Sequence, residues 1–126
     1  MIPIIEEEVL EQVLNEMAQI GVVDGYQIYV RTNDAGKIPH FHIWDLSTNG
    51  QKFHTCVRID KPEYFKHTGK EGTLNSKERK HLISFLSGED PDSGFTNWQW
   101  LVFEWNRNNS DVRIDPKTPM PDYTKL

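Results

Sequence analysis

Three short runs of alternating polarity, two of them followed at once by a cluster of turn residues, constrain this chain more than anything else in it. Tyr26 to Thr32, Pro39 to Leu46 and Phe53 to Asp60 are rich in β-branched and aromatic residues. Such runs suit a pleated surface with one buried face. Asn33-Asp34-Ala35-Gly36 separates the first two, and Ser47-Thr48-Asn49-Gly50 the second and third. Connections this short join neighbouring antiparallel strands, because a parallel return needs a crossover of about a dozen residues or more. The Asn49-Gly50 pair is the strongest kind of short hairpin signal. The centre of the fold is therefore expected to be an antiparallel meander.

Helical patterns flank it. Leu10, Val13, Leu14, Met17 and Ile20 recur at i, i+3, i+4, i+7 spacing and predict a helix over Glu6 to Ile20. Glu6, Glu7 and Glu8 suit its first turn, and Gly21 is its expected stop. Pro62, Gly69 and Gly72 predict a loop over 61–74, with one helical turn around Tyr64 and Phe65. Asn75 with Glu78 and Thr96 with Gln99 both fit the capping box. The first opens a helix that turns Leu82, Ile83 and Leu86 inward and ends before Gly88. The second opens one with Trp98, Leu101, Val102 and Trp105 on one stripe. Trp100 and Phe103 lie off that stripe, which predicts a helix sandwiched between layers. The tail from Ser110 is expected to run extended over the surface, with a short strand at Val112-Arg113-Ile114 and anchors at Met120 and Tyr123. The predicted class is α+β, in the order α-β-β-β-α-α. A three- or four-stranded antiparallel meander carries an N-terminal helix and two C-terminal helices on its apolar face. All of 1–126 forms one domain, with 110–126 as its extended Pro-rich tail.

Composition narrows the function classes. One cysteine among 126 residues excludes an intramolecular disulfide framework and a multi-cysteine zinc site, and points to a reducing cytoplasm. No apolar run approaches a bilayer span, and the start lacks the pattern of a secretory signal, so no membrane role is expected. The net charge of −5 disfavours general nucleic-acid binding. That charge is uneven: residues 52–81 carry +4, from Lys52, Arg58, Lys61, Lys66, Lys70, Lys77, Arg79 and Lys80 against four acidic groups. A solvated face accounts for such an island, and a local anion contact is the sharper alternative.

Period-2 counting then divides the strand residues between two faces. Tyr26, Ile28, Val30, Phe41, Ile43, Phe53, Val57 and Ile59 should line the core. Gln27, Tyr29, Arg31, His40, His42, Trp44, His54, Cys56 and Arg58 should project from the opposite face. Three of the five histidines thus share one side of the sheet. Three uses fit this set. The histidines can sit half-exposed beside Tyr29 and Trp44. They can bind an anion or a partner, with Arg58 as the fixed charge. They can hold a divalent metal through His40, His42 and His54, since His-x-His spaces two imidazoles about 6.5–7 Å apart on one face. Cys56 is expected to be a buried, inert thiol rather than a nucleophile. Gly69-Lys70 fails as a phosphate loop, because Tyr64 stands where glycine is needed and Glu71 follows the lysine. His67 and His81 belong to the basic island and are expected to be exposed.

The order of motifs resembles a known family. Gly25 to Val30 leads into Ile38-Pro39-His40-Phe41-His42-Ile43, then a strand, a helix near Leu74 to Leu86, and a helix ending in Trp105-Asn106. This is similar to a family of small bacterial proteins known only as a domain of unknown function. Its members carry a Pro-Pro-His-x-His-Val strand and close with a Trp-Asn helix. The resemblance covers residues 25–107 and departs at Ile38, where the family has proline. His40 and His42 alone match the hallmark. The resemblance implies small genes paired in toxin–antitoxin-like arrangements, and chains with a similar Met-Pro-Asp-Tyr tail in prophages and other mobile elements. It implies no reaction.

Two functions follow as expectations. One is a non-enzymatic accessory or regulatory protein that binds a protein partner or small anionic ligand through His40, His42, His54, Arg58, Tyr29 and Trp44. The other is a toxin-like, metal-assisted nuclease or phosphoesterase using the same histidines. Asp45 and Asp60 fall at strand ends rather than clearly on the histidine face, which favours binding. Base stacking on Tyr29 and Trp44 is a third use, weakened by the acidic flanks.

Overall fold

The computed structural model describes residues 17–32, 38–66 and 72–126. The part of the expected Glu6 to Ile20 helix up to Glu16, the turn at 33–36, and His67, Gly69 and Lys70 lie outside them. The sheet has four antiparallel strands in sequential order: β1 (Met17–Val23), β2 (Tyr26–Arg31), β3 (His40–Asp45) and β4 (His54–Arg58). Two helices follow, α1 (Ser76–Ser87) and α2 (Asn97–Asn108). The α+β class and the meander stand as the alternation predicts.

The first strand is a correction. Met17 to Ile20, expected to end a helix, open β1 instead. Its pairing with β2 skips Ile20, with Gln19 opposite Tyr29 and Gly21 opposite Ile28. This bulge adds one residue and shifts the alternation. Ala18 and Val23, an odd distance apart, therefore both pack on the core, with Ile20 beside them. The broken period reads as helical. Gly21 ends no helix: a Cβ there would lie 2.4 Å from the Phe85 ring of α1, so the glycine admits a close approach. The turn into β2 is made by Asp24 and Gly25, both at positive φ (54° and 78°), as a two-residue hairpin requires.

The core lies on the predicted face. Ile28, Val30, Phe41, Ile43, Val57 and Ile59 are buried against Leu82 and Leu86 of α1 and Trp98, Leu101, Val102 and Trp105 of α2. Both capping boxes form with reciprocal bonds, Asn75 with Glu78 and Thr96 with Gln99. Tyr64 and Phe65 form no helical turn. The chain after β4 turns back and bridges it, with Tyr64 opposite Val57 and the Phe65 N–H donating to the Cys56 carbonyl at 2.8 Å. Among the described residues no helix is long and apolar enough to cross a membrane.

The tail is held by side chains rather than by a strand at 112–114. Trp98 Nε1 donates to the Thr118 carbonyl at 2.8 Å and Trp105 Nε1 to the Val112 carbonyl at 2.9 Å. Asn106 imitates a neighbouring strand. Its amide donates to the Ile114 carbonyl at 2.9 Å and its oxygen accepts the Ile114 N–H at 2.8 Å. The Trp-Asn pair is thus a clamp on the tail. Asn109 adds a bond from its amide to the Arg31 carbonyl at 2.9 Å. Tyr123 is fully buried, and its hydroxyl donates to the Arg58 carbonyl at 2.6 Å.

Buried Tyr123 and half-buried Tyr26 and Tyr64 make stability fall in alkali. Burial, with the Glu78 carboxylate beside it, pushes the Tyr26 phenol up to about 12. Burial pushes the Tyr123 and Tyr64 phenols up as well. A phenol raised in the folded state contributes stability that is complete below the unfolded value, about 10, and is lost as pH rises through the folded value. Urea unfolding from pH 9 upward should show a stable plateau and then a decline beginning near pH 10. A flat profile up to pH 12 would contradict the burial of these phenols.

Candidate metal centre

Strand register places the histidine-face residues in rows. Tyr29, His42 and Cys56 face one another across β2, β3 and β4, and Gln27, Trp44 and His54 form the next row. His40 pairs with Arg58. Directly opposed Cβ atoms lie about 4.5–5.5 Å apart, so the pairing itself brings imidazole and thiol into reach.

The centre of the face is not half-exposed. His40, His42 and Cys56 are 0%, 1% and 1% accessible, and Tyr29 and Gln27 are also buried. Part of this cover is aromatic. Phe65, delivered by the bridge to β4, lies 4.7 Å from the His40 ring, and Trp105 lies 5.4 Å from it. His42 stacks flat on Tyr29 at 4.7 Å and 9°. Tyr29 is therefore engaged with a histidine, which leaves no open platform there for a base.

Within this cover the donors converge. One ring nitrogen of His40, one of His42 and Cys56 Sγ all lie within 4.8 Å of one another. Sγ is 3.3 Å from His42 Nδ1 and 3.9 Å from Nε2. His40 Nδ1 lies 2.6 Å from the Ile38 carbonyl. A carbonyl only accepts, so Nδ1 carries a proton, and in the neutral ring the lone pair is on Nε2. Metal-binding histidines are typically oriented by such a bond, with the other nitrogen protonated and tied to a carbonyl. His54 is half-buried, and its Nε2 lies 2.9 Å from His42 Nδ1. The Tyr29 hydroxyl is 3.4 Å from the same Nε2.

The trio that converges differs in one member from the trio expected from the alternation. Cys56 stands with His40 and His42, while His54 contacts His42 from outside the group. Strand pairing was the missing signal: Cys56 is opposite His42, whereas His54 is opposite Trp44. Trp44 is half-buried, and its indole closes over Gly50, where a Cβ would lie 1.8 Å from Nε1. Gly50 and Asn49 take positive φ (75° and 51°) at the end of a 3-10 turn over Leu46–Thr48, so the loop is longer than a two-residue hairpin.

The charged groups around the site are already engaged. Arg58 binds Asp60 through two bonds, at 2.8 and 2.7 Å, with Glu63 at 4.0 Å. The Arg58 guanidinium holds the Asp60 carboxyl below the usual range. An anion at Arg58 would have to displace this pair. Asp45 is bound by Thr48 and Ser47, and these bonds lower its pKa. Among the described residues the cluster is therefore one of nitrogen and sulfur donors without carboxylates. His81 is elsewhere, on α1, where Nδ1 meets Asp24 of the β1–β2 turn at 2.7 Å.

The chain matches no protein-family model, no curated protein and no solved structure. The resemblance to small bacterial proteins with a His-x-His strand rests on the motifs alone.

Proposed function

We propose that this is a metal-binding accessory protein, in which His40, His42 and Cys56 hold a borderline-soft transition-metal ion, Zn²⁺ foremost. The observation that carries this is the burial of three such donors within 4.8 Å of one another. Two imidazoles and a thiolate suit zinc or copper, whereas magnesium and calcium demand oxygen ligands. Tetrahedral bonds of about 2.0–2.3 Å set donors about 3.5 Å apart, so the trio closes on an ion by small side-chain rotations. The carbonyl of Ile38 orients His40, and His54 and Tyr29 orient His42.

This reading keeps the accessory, non-enzymatic character expected from the sequence. It departs from hydrolysis for two reasons. Three donors leave a fourth tetrahedral position for water, but all three are at most 1% accessible, so no substrate reaches that position without rearrangement. The carboxylates that could serve as a base, Asp45 and Asp60, are held by their own partners. The ion would tie β3 to β4 and make the sheet's stability respond to metal supply.

The test is a titration of chelator-stripped, untagged protein with Zn²⁺ against a competing chelator, and with Co²⁺ as a spectroscopic probe. One equivalent should bind, with a thiolate-to-cobalt charge-transfer band. Unfolding should shift upward by about 2.7 kcal/mol when free metal is 100 times Kd. No stoichiometric binding of either ion would overturn the proposal.

A further inference from the structure

Helix α2 is apolar on two sides, and among the described residues only one is covered. Its outer side carries Trp100 and Phe103, 36% and 53% exposed, stacked on each other at 5.4 Å and 20°. Phe95, 54% exposed, precedes the helix. The expected second layer over Trp100 and Phe103 is absent among the described residues. With Gln99 and Pro116 the three aromatics line a shallow, apolar cavity of about 320 Å³. A second cavity of about 380 Å³ shares Gln99, Phe103 and Pro116 and runs on to Arg107 and Arg113.

The patch is polarised along the helix. Arg107, which also pairs with Glu104 of the same helix at 3.5 Å, and Arg113 stand at its C-terminal end, in a chain of net charge −5. Glu89 and Asp92 stand at the other end, in a loop folded back onto the helix start by the bridge between Glu89 and Thr96. Aromatic in the middle, basic at one end and acidic at the other, the patch is complementary to itself when reversed. A two-fold axis performs that reversal.

We infer that this face is a homodimer interface, its occupant a second copy of the chain with the two α2 helices antiparallel. The axis passes beside Trp100 and Phe103, whose rings interleave across it. Phe95 then reaches the Pro116 end of the other copy. Glu89 and Asp92 meet the other copy's Arg107 and Arg113, because α2, twelve residues long, spans only about 18 Å. The aromatic centre supplies most of the affinity, as at other interfaces with buried aromatic anchors, and the charged ends set the register. The inference does not rest on metal at the histidine cluster.

Sedimentation equilibrium of the full chain, metal-stripped and metal-loaded, tests it from micromolar to millimolar concentration. A monomer–dimer equilibrium is expected in both forms, with a blue shift in tryptophan emission as the dimer forms. Phe103→Asp should weaken it at least tenfold while circular dichroism stays unchanged. Two charge-reversed chains make the register testable. Arg107→Glu with Arg113→Glu, and Glu89→Lys with Asp92→Lys, should each dimerise poorly alone and form a heterodimer when mixed. A wild-type chain that stays monomeric overturns the inference and leaves the face to a different partner. A dimer indifferent to Phe103→Asp, or a mixture no better associated than its parts, overturns it equally.

Discussion

Cys56→Ser should weaken metal binding at least ~100-fold and abolish the thiolate-to-cobalt band. Loss of an outer partner of a metal site costs about 10–100-fold, and loss of a ligand costs more. The variant keeps the size of the side chain at a position that is 1% exposed, so the metal-free fold should survive and serve as its own control. His54→Ala gives the contrast. It removes the group 2.9 Å from His42 Nδ1 and leaves the three donors in place. Its effect should stay within about 10–100-fold, with the charge-transfer band retained. If His54→Ala removed binding entirely while Cys56→Ser bound normally, the ligand set would be the three histidines and not the trio with Cys56.

Tyr123→Ala should destabilise the protein by about 3–5 kcal/mol, the range for truncating a large buried aromatic. Tyr123 lies three residues before Leu126, yet it is fully buried. Its ring meets Phe41 of β3 edge-on at 5.9 Å and Trp98 of α2 at 6.1 Å. Its hydroxyl is bound to the Arg58 carbonyl. One side chain thus joins two strands and a helix. Tyr123→Phe keeps the ring and leaves that carbonyl without its donor, so it should cost about 1–3 kcal/mol. Urea unfolding measures both. A Tyr123→Ala protein within 1 kcal/mol of the parent would show that the tail adds nothing to the core.

The features legible in the sequence are those set over a few residues. Each capping box spans four residues, so Asn75–Glu78 and Thr96–Gln99 announce their helices without knowledge of the rest. Alternation assigns each strand residue to a face, and the core face held for Tyr26 through Ile59. Where alternation is interrupted, the same logic fails. The bulge at Ile20 turned the first strand into a helical pattern. The Asp24-Gly25 pair, both at positive φ, was the local signal that could have found this strand.

The opposite face shows the division most clearly. The sequence by itself determined that His40, His42, His54 and Cys56 share one side of a sheet, because side chains on a strand repeat every two residues. Only the tertiary structure decided that the centre of this side is buried and that Cys56 rather than His54 joins His40 and His42. It also decided that Trp105 and Asn106 hold the tail through the backbone of Val112 and Ile114. The physical reason is range. A face follows from neighbouring dihedral angles, whereas convergence depends on inter-strand register and on contacts between residues far apart in the chain. Cys56 meets His42 fourteen residues away, and Tyr123 meets Arg58 sixty-five away.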